Sequence, residues 1–192
     1  LNAPGQETAH AFVHRRWIDI SISSHPMKKT VTIGRAAYHE AGHAVAAIVL
    51  DVPLTLVSIE QRQGPFGLRI GGATFCPFNF SRALRNRAKL EKYLTVVLAG
   101  EVSERLWCAH KPAHPIQETG FSHDREVVRE MLKQVFKDRA ERQRVLKRLK
   151  GEARRLVRNH WNSVELLAGK LEEFKVLNGA MVKRLIEPSK KS

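Results

Sequence analysis

The sequence predicts a mostly α fold with a small β-sheet, on three observations. Apolar residues recur at helical spacing over most of the chain after Gly34. One strand–turn–strand pattern interrupts them, residues 55–61 and 68–75 around Gly64-Pro65-Phe66-Gly67. The length, 192 residues, suits about one domain with appendages.

The elements follow in order. Residues 1–33 have weak periodicity and several turn formers (Pro4, Gly5, Ser23, Ser24, Pro26). The expected organisation is an N-terminal extension over 1–30, one domain over 31–188 and a basic tail over 189–192. A helix is expected from Gly34, with Ala36, Ala37, Val45, Ile48 and Val49 supplying its apolar surface. Pro53 marks its stop. In the hairpin that follows, Gly71-Gly72 signals a bulge or a close approach. Ser81 reads as the cap of a long helix to about Trp107, with Leu84, Ala88, Tyr93, Leu94, Val97, Leu98, Val102 and Leu106 on its apolar stripe. Ala99-Gly100 within it implies tight packing, because glycine costs a helix about 1 kcal/mol. Residues 108–120 read as a loop. A helix follows from near Ser122, another covers about 140–159, and residues 163–186 read as two short helices joined near 176–179.

Composition narrows the class. Hydrophobic content of 43% and charged content of 27% exclude a disordered or collagen-like chain. Lys and Arg number 33 against 19 Asp and Glu, a net charge of +14, which points to acidic partners. The two cysteines, Cys76 and Cys108, lack metal-like spacing and read as reduced thiols. The longest apolar run covers residues 44–50, far short of the ~20 needed to span a bilayer. No signal-peptide pattern is present, so the expected location is cytoplasmic.

One segment carries chemistry: Tyr38-His39-Glu40-Ala41-Gly42-His43-Ala44. On a helix, His39 and His43 stand one turn apart with only ~40° between them. Both imidazoles can reach one Zn²⁺ at ~2.0–2.1 Å. Glu40 then sits beside the metal, placed to take a proton from water as general base. The apolar flanks imply burial, and two buried histidines and a glutamate need partners, which a metal supplies together. A third protein ligand is required for a catalytic zinc. Glu101, Glu104, His110, His114, His123 and Asp124 are all candidates on chemistry alone.

The segment Ala37-Tyr38-His39-Glu40-Ala41-Gly42-His43-Ala44-Val45 resembles the zinc helix of the FtsH family of ATP-dependent membrane proteases. Val57-Ser58-Ile59 followed by Gly67 is similar to the strand and turn after that helix. Leu98-Ala99-Gly100-Glu101-Val102-Ser103-Glu104-Arg105-Leu106 resembles the family's Leu-Gly-Gly-Arg-Ala-Ala-Glu-Glu-Ile run, and Thr119-Gly120-Phe121-Ser122-His123-Asp124 its Gly-Ala-Ser-Asn-Asp segment. The C-terminal residues from Val164 to Gly179 look like its last helices. These likenesses fall in family order over about residues 33–186.

The resemblance implies an FtsH-like zinc peptidase domain, with Asp124 as third ligand and Glu104 orienting a ligand histidine. It implies that Gly67, Leu68, Arg69 and Ile70 belong to an edge strand that receives an extended substrate by strand addition. The chain departs from the family in having no Walker A motif and no Gly-Met-Ser-Asp-like sequence after Asp124. The expectation is therefore a zinc endopeptidase without its own ATPase, acting on unfolded or flexible segments. A regulatory peptidase that cuts one partner, or a basic scaffold with structural zinc, are the alternatives. Residues 133–158 contain 11 Lys and Arg against three acids. This stretch reads as a solvated face or as a dock for a separate ATPase or other acidic partner. Nucleic acid is not expected, since aromatics are not interleaved. A homo-oligomer is compatible with the sequence.

Overall fold

The computed structural model describes residues 29–63, 69–77, 86–111 and 121–187. It is mostly helical with a small antiparallel sheet, in the order α1 (Lys29–Val49), β1 (Leu56–Gln63), β2 (Arg69–Phe75), α2 (Arg87–Ala109), α3 (Ser122–Val135), α4 (Arg139–Asn159), α5 (Trp161–Phe174), β3 (Val176–Asn178) and α6 (Gly179–Ile186). The extension over 1–28, the turn at Gly67 and Leu68, Ser81, His114 and the tail from 188 lie outside the described residues.

Helix α1 starts five residues before Gly34, although Thr30, Val31 and Thr32 are β-branched and favour strands. Gly34 is interior to the helix because a Cβ there would stand 3.1 Å from the Trp107 ring. The C-terminus closes as a Schellman motif: Val52 N donates to Ala47 O at 2.8 Å and Asp51 N to Ile48 O at 3.2 Å. Asp51 takes the left-handed conformation this requires, with φ of 54°.

Helix α2 is capped by Asn86, whose side chain accepts from Lys89 N, so its described start lies beyond the Ser81 expected from sequence. It runs on through Cys108, which is buried within the helix rather than in a loop. Both cysteines are free thiols, and burial pushes the Cys76 thiol up to about 12. Asp138 caps α4 by accepting from Glu141 N at 2.6 Å. Val145, Leu149, Ala153 and Val157 point inward at helical spacing, so the basic residues between them face out.

The sheet order is β2-β1-β3, which leaves β2 at an edge among the described strands. Its pairing with β1 slips by one residue between Ser58 and Gln61, opposite Gly72, where the glycine pair signalled a bulge. Strand β3 is the unexpected element. Residues 176–178 are not a bare link between two helices but a third strand, pairing antiparallel with Leu56, Val57 and Ser58. Gly179 is required next to it, because any Cβ would collide with the Leu54 carbonyl.

Helix α1 is the centre of the core, packed on α2, α5 and the sheet. Ala36, Ala37, Ala41, Ala44, Ala46 and Ala47 are all buried, so it touches neighbours on nearly every side. Tyr38 stacks on Trp107 at 5.5 Å and on Trp161 at 5.6 Å, joining α1 to α2 and α5. At the α1–α2 crossing a Cβ on Gly42 would lie 2.6 Å from the Ala99 carbonyl oxygen and 2.5 Å from Ser103 Cβ. Ser103 Oγ donates to Tyr38 O across the same crossing at 2.6 Å. Two helix glycines should therefore respond oppositely to alanine. Gly42→Ala, against backbone that cannot yield, should destabilise by about 1–3 kcal/mol or more in urea unfolding. Gly169→Ala, with nothing within 4 Å, should gain up to about 1 kcal/mol.

Candidate metal centre

The helical spacing of α1 brings the two imidazoles together. The ring centroids of His39 and His43 are 4.7 Å apart, edge to face, and their Nε2 atoms are 3.0 Å apart. Asp124, in the first turn of α3, places Oδ2 3.2 Å from His39 Nε2 and 3.4 Å from His43 Nε2. All three residues are at most 2% exposed. They form a group of suitable side chains, with one ligand atom from each converging within 4.8 Å.

The other ring nitrogens fix what these atoms offer. His43 Nδ1 donates to the Val96 carbonyl at 2.8 Å, and His39 Nδ1 donates to Glu104 Oε2 at 3.1 Å. Both partners are pure acceptors, so each neutral ring keeps its proton on Nδ1. Two Nε2 lone pairs then face each other and a carboxylate. Neither Asp124 oxygen receives a hydrogen bond from the described residues. Such an arrangement is repulsive unless a cation sits in it. The local packing leaves room for one: a Cβ on Gly100 would strike the His43 ring and lie 2.9 Å from His39 Nε2. Two imidazole nitrogens and a carboxylate oxygen suit Zn²⁺ among the common ions.

Without the ion, a proton competes for the same place. Burial alone would lower the His39 pKa, but the nearby Asp124 and Glu104 carboxylates outweigh it and hold it well above the usual value. Burial would raise Asp124, yet the facing His43 and His39 rings hold it well below the usual carboxylate range. Glu40 differs. Burial pushes it up to about 7, only partly opposed by His39, His43 and the Thr74 hydroxyl. Thr74 Oγ donates to Glu40 Oε2 at 2.6 Å, while the buried Oε1 has no partner among the described residues.

Asp124 is brought in by its neighbours. Phe121, fully buried, stacks on the His39 ring at 6.1 Å and 11° and lies under the Arg105 and Arg125 guanidinium groups. Arg125 donates to Glu101 at 2.9 and 2.6 Å, and Arg105 to the same carboxylate at 2.8 Å. Glu101 therefore anchors α3 to α2 and is not part of the ligand group. His110 is exposed, with Nδ1 donating to Leu106 O, and His123 stands outside the ligand group. Glu104 lies behind His39 and accepts from its Nδ1. Arg69 and Ile70 fall on β2, paired with Gln63 and Arg62.

The motif spacing did not identify Thr74, Val96 or Phe121. Gly100 carried a signal, an interior helix glycine, but its use as space beside the ligands needed the fold. Compared with models of known protein families and with curated proteins, the chain matches none.

One equivalent of zinc should bind, measured by chelator competition. Replacing His39, His43 or Asp124 with alanine should abolish tight binding, while Glu40→Gln should retain it. Because the raised His39 proton must leave, apparent affinity should strengthen from pH 6 to 8, by about tenfold per unit where one proton is displaced. Calorimetry in buffers of different ionisation enthalpy should detect that proton.

Proposed function

We propose that the chain is a zinc-dependent metalloendopeptidase that cleaves unfolded or flexible protein segments, similar to the peptidase domain of FtsH proteases. The observation that carries this reading is the pairing of a three-ligand metal group with Glu40 Oε1, a buried carboxylate oxygen without a partner beside it. Three protein ligands leave a fourth position open, as a catalytic zinc needs and a structural zinc does not. The scaffold alternative would place a fourth side chain in the group. Among the described residues none joins it, His123 included.

Bound zinc supplies Lewis acidity toward water and the scissile carbonyl. The protein does the rest. Glu40 takes the proton of the attacking water on Oε1 and returns it to the leaving amine. Thr74 holds Oε2 and leaves Oε1 as the oxygen without a partner among the described residues, available to take a proton. Asp124, His39 and His43 hold the metal, and Glu104 keeps the His39 ring in its liganding tautomer.

Substrate binding is assigned to β2, whose outer edge has no strand neighbour among the described residues. An extended peptide added there, along Arg69 and Ile70, runs on the strand that also carries Thr74. Strand addition needs an extended chain, hence the preference for unfolded segments. The outward face of α4, where Arg144, Lys147 and Arg155 stand exposed, is assigned to an acidic partner that delivers substrate.

Purified wild type should cleave casein in the presence of zinc. Glu40→Gln should keep the metal and lose at least about a hundredfold in rate. Equal cleavage by both proteins would sink the reading.

A further inference from the structure

Arg35 is buried, 4% exposed, in a chain with 33 Lys and Arg. Side chains of this kind are almost never fully buried unless paired. Arg35 precedes His39 by one turn of α1, and both reach the same carboxylate on α2. Arg35 Nε donates to Glu104 Oε1 at 2.8 Å, and Nη2 makes a second, shorter contact with that oxygen. His39 Nδ1 donates to the other oxygen, Oε2, at 3.1 Å. The two oxygens of Glu104 are thus divided between a cation and a ligand ring.

We propose that Arg35 is a positioning residue of the metal centre: by occupying Glu104 Oε1 it commits Oε2 to His39 Nδ1, and so presents the His39 Nε2 lone pair to a divalent cation. This rests on the metal-centre reading and adds a residue that the ligand motif does not include. Geometry gives the first reason. A lone carboxylate behind an imidazole can turn about its last torsion, which is broad. A planar guanidinium bound from two nitrogens removes that freedom. Charge gives the second. The cluster buries three carboxylates, Glu40, Glu104 and Asp124. One guanidinium and one divalent cation balance them, whereas the cation alone leaves an excess negative charge in a buried site. Arg35 is therefore matched to an ion of charge two.

The test measures zinc affinity by competition with a chromophoric chelator, and the Co²⁺ d–d spectrum, for wild type, R35M, R35K, E104Q and R35M/E104Q. Thermal unfolding followed by circular dichroism reports the fold of each. R35M and E104Q should each weaken zinc by about 10–100-fold and alter the Co²⁺ spectrum. R35K, which restores a cationic donor, should recover part of the loss. The double variant should bind no more weakly than the worse single variant, because Arg35 acts through Glu104. Folded R35M with wild-type affinity, or additive losses in the double variant, would overturn the proposal while leaving the metal centre intact. If R35M does not fold, R35M/E104Q decides, since it removes both buried charges. It should fold and bind as weakly as E104Q, and wild-type affinity in it would overturn the proposal. A wild-type protein that takes up no zinc would overturn the metal centre and this role with it.

Discussion

The close crossing of α1 over α2 is the constraint on which the rest of the structure depends. Gly42 and Gly100 face each other's helices, and neither tolerates a Cβ. The motif spacing on α1 puts two rings on one face, but it does not say which nitrogen of each ring is free. Helix α2 decides that. Val96 O and Glu104 Oε2 each accept a hydrogen bond from an Nδ1, and both reach because the backbones approach so closely. A wider crossing would bury more side-chain surface and lose both contacts. The alanine-rich face of α1 is thus a consequence of the site as much as of the core.

Burial acts on two carboxylates of this cluster and gives opposite results. Asp124 faces both imidazoles and is held as an anion. Glu40 meets a hydroxyl and is pushed up to about 7. The same desolvation therefore leaves one carboxyl low and the other raised, because their neighbours differ. Adjacent positions on one helix could not do this by sequence chemistry alone. His39 and Glu40 point in directions about 100° apart, one toward α2 and α3, the other toward β2.

What could be read from sequence follows from the range of the interactions. His39, Glu40 and His43 were legible because helical periodicity is local. The third ligand was not, since Glu101, Glu104 and Asp124 are all acidic residues near the same elements. Glu101 and Glu104 differ by about 60° of rotation around α2, which turns one toward Arg105 and Arg125 and the other toward His39. Only the resemblance separated them before the fold did. Strand β3 was illegible because three residues cannot show an alternating pattern. The early start of α1 was illegible for a different reason: local β-branched preference loses to tertiary context.

The elements divide the chemistry between them. Helices α1 and α3 supply the three side chains that could hold a metal ion, and α2 accepts from the outer nitrogen of each ring. The sheet supplies the hydroxyl that holds Glu40 Oε2, carried on a strand that lies at the edge among the described strands. Strand β1 lies between that edge strand and β3, and β3 leads into α6, so the C-terminal segment braces the sheet and not the candidate ligand group. A disturbance at Gly179, where the chain presses on the Leu54 carbonyl, is transmitted through β1 to β2 and Thr74 before it reaches any ligand. The candidate ligand group and the sheet contact to Glu40 are therefore separable parts of this fold. The first depends on how closely α1 and α2 cross, and the second on how a three-stranded sheet holds one threonine against Glu40.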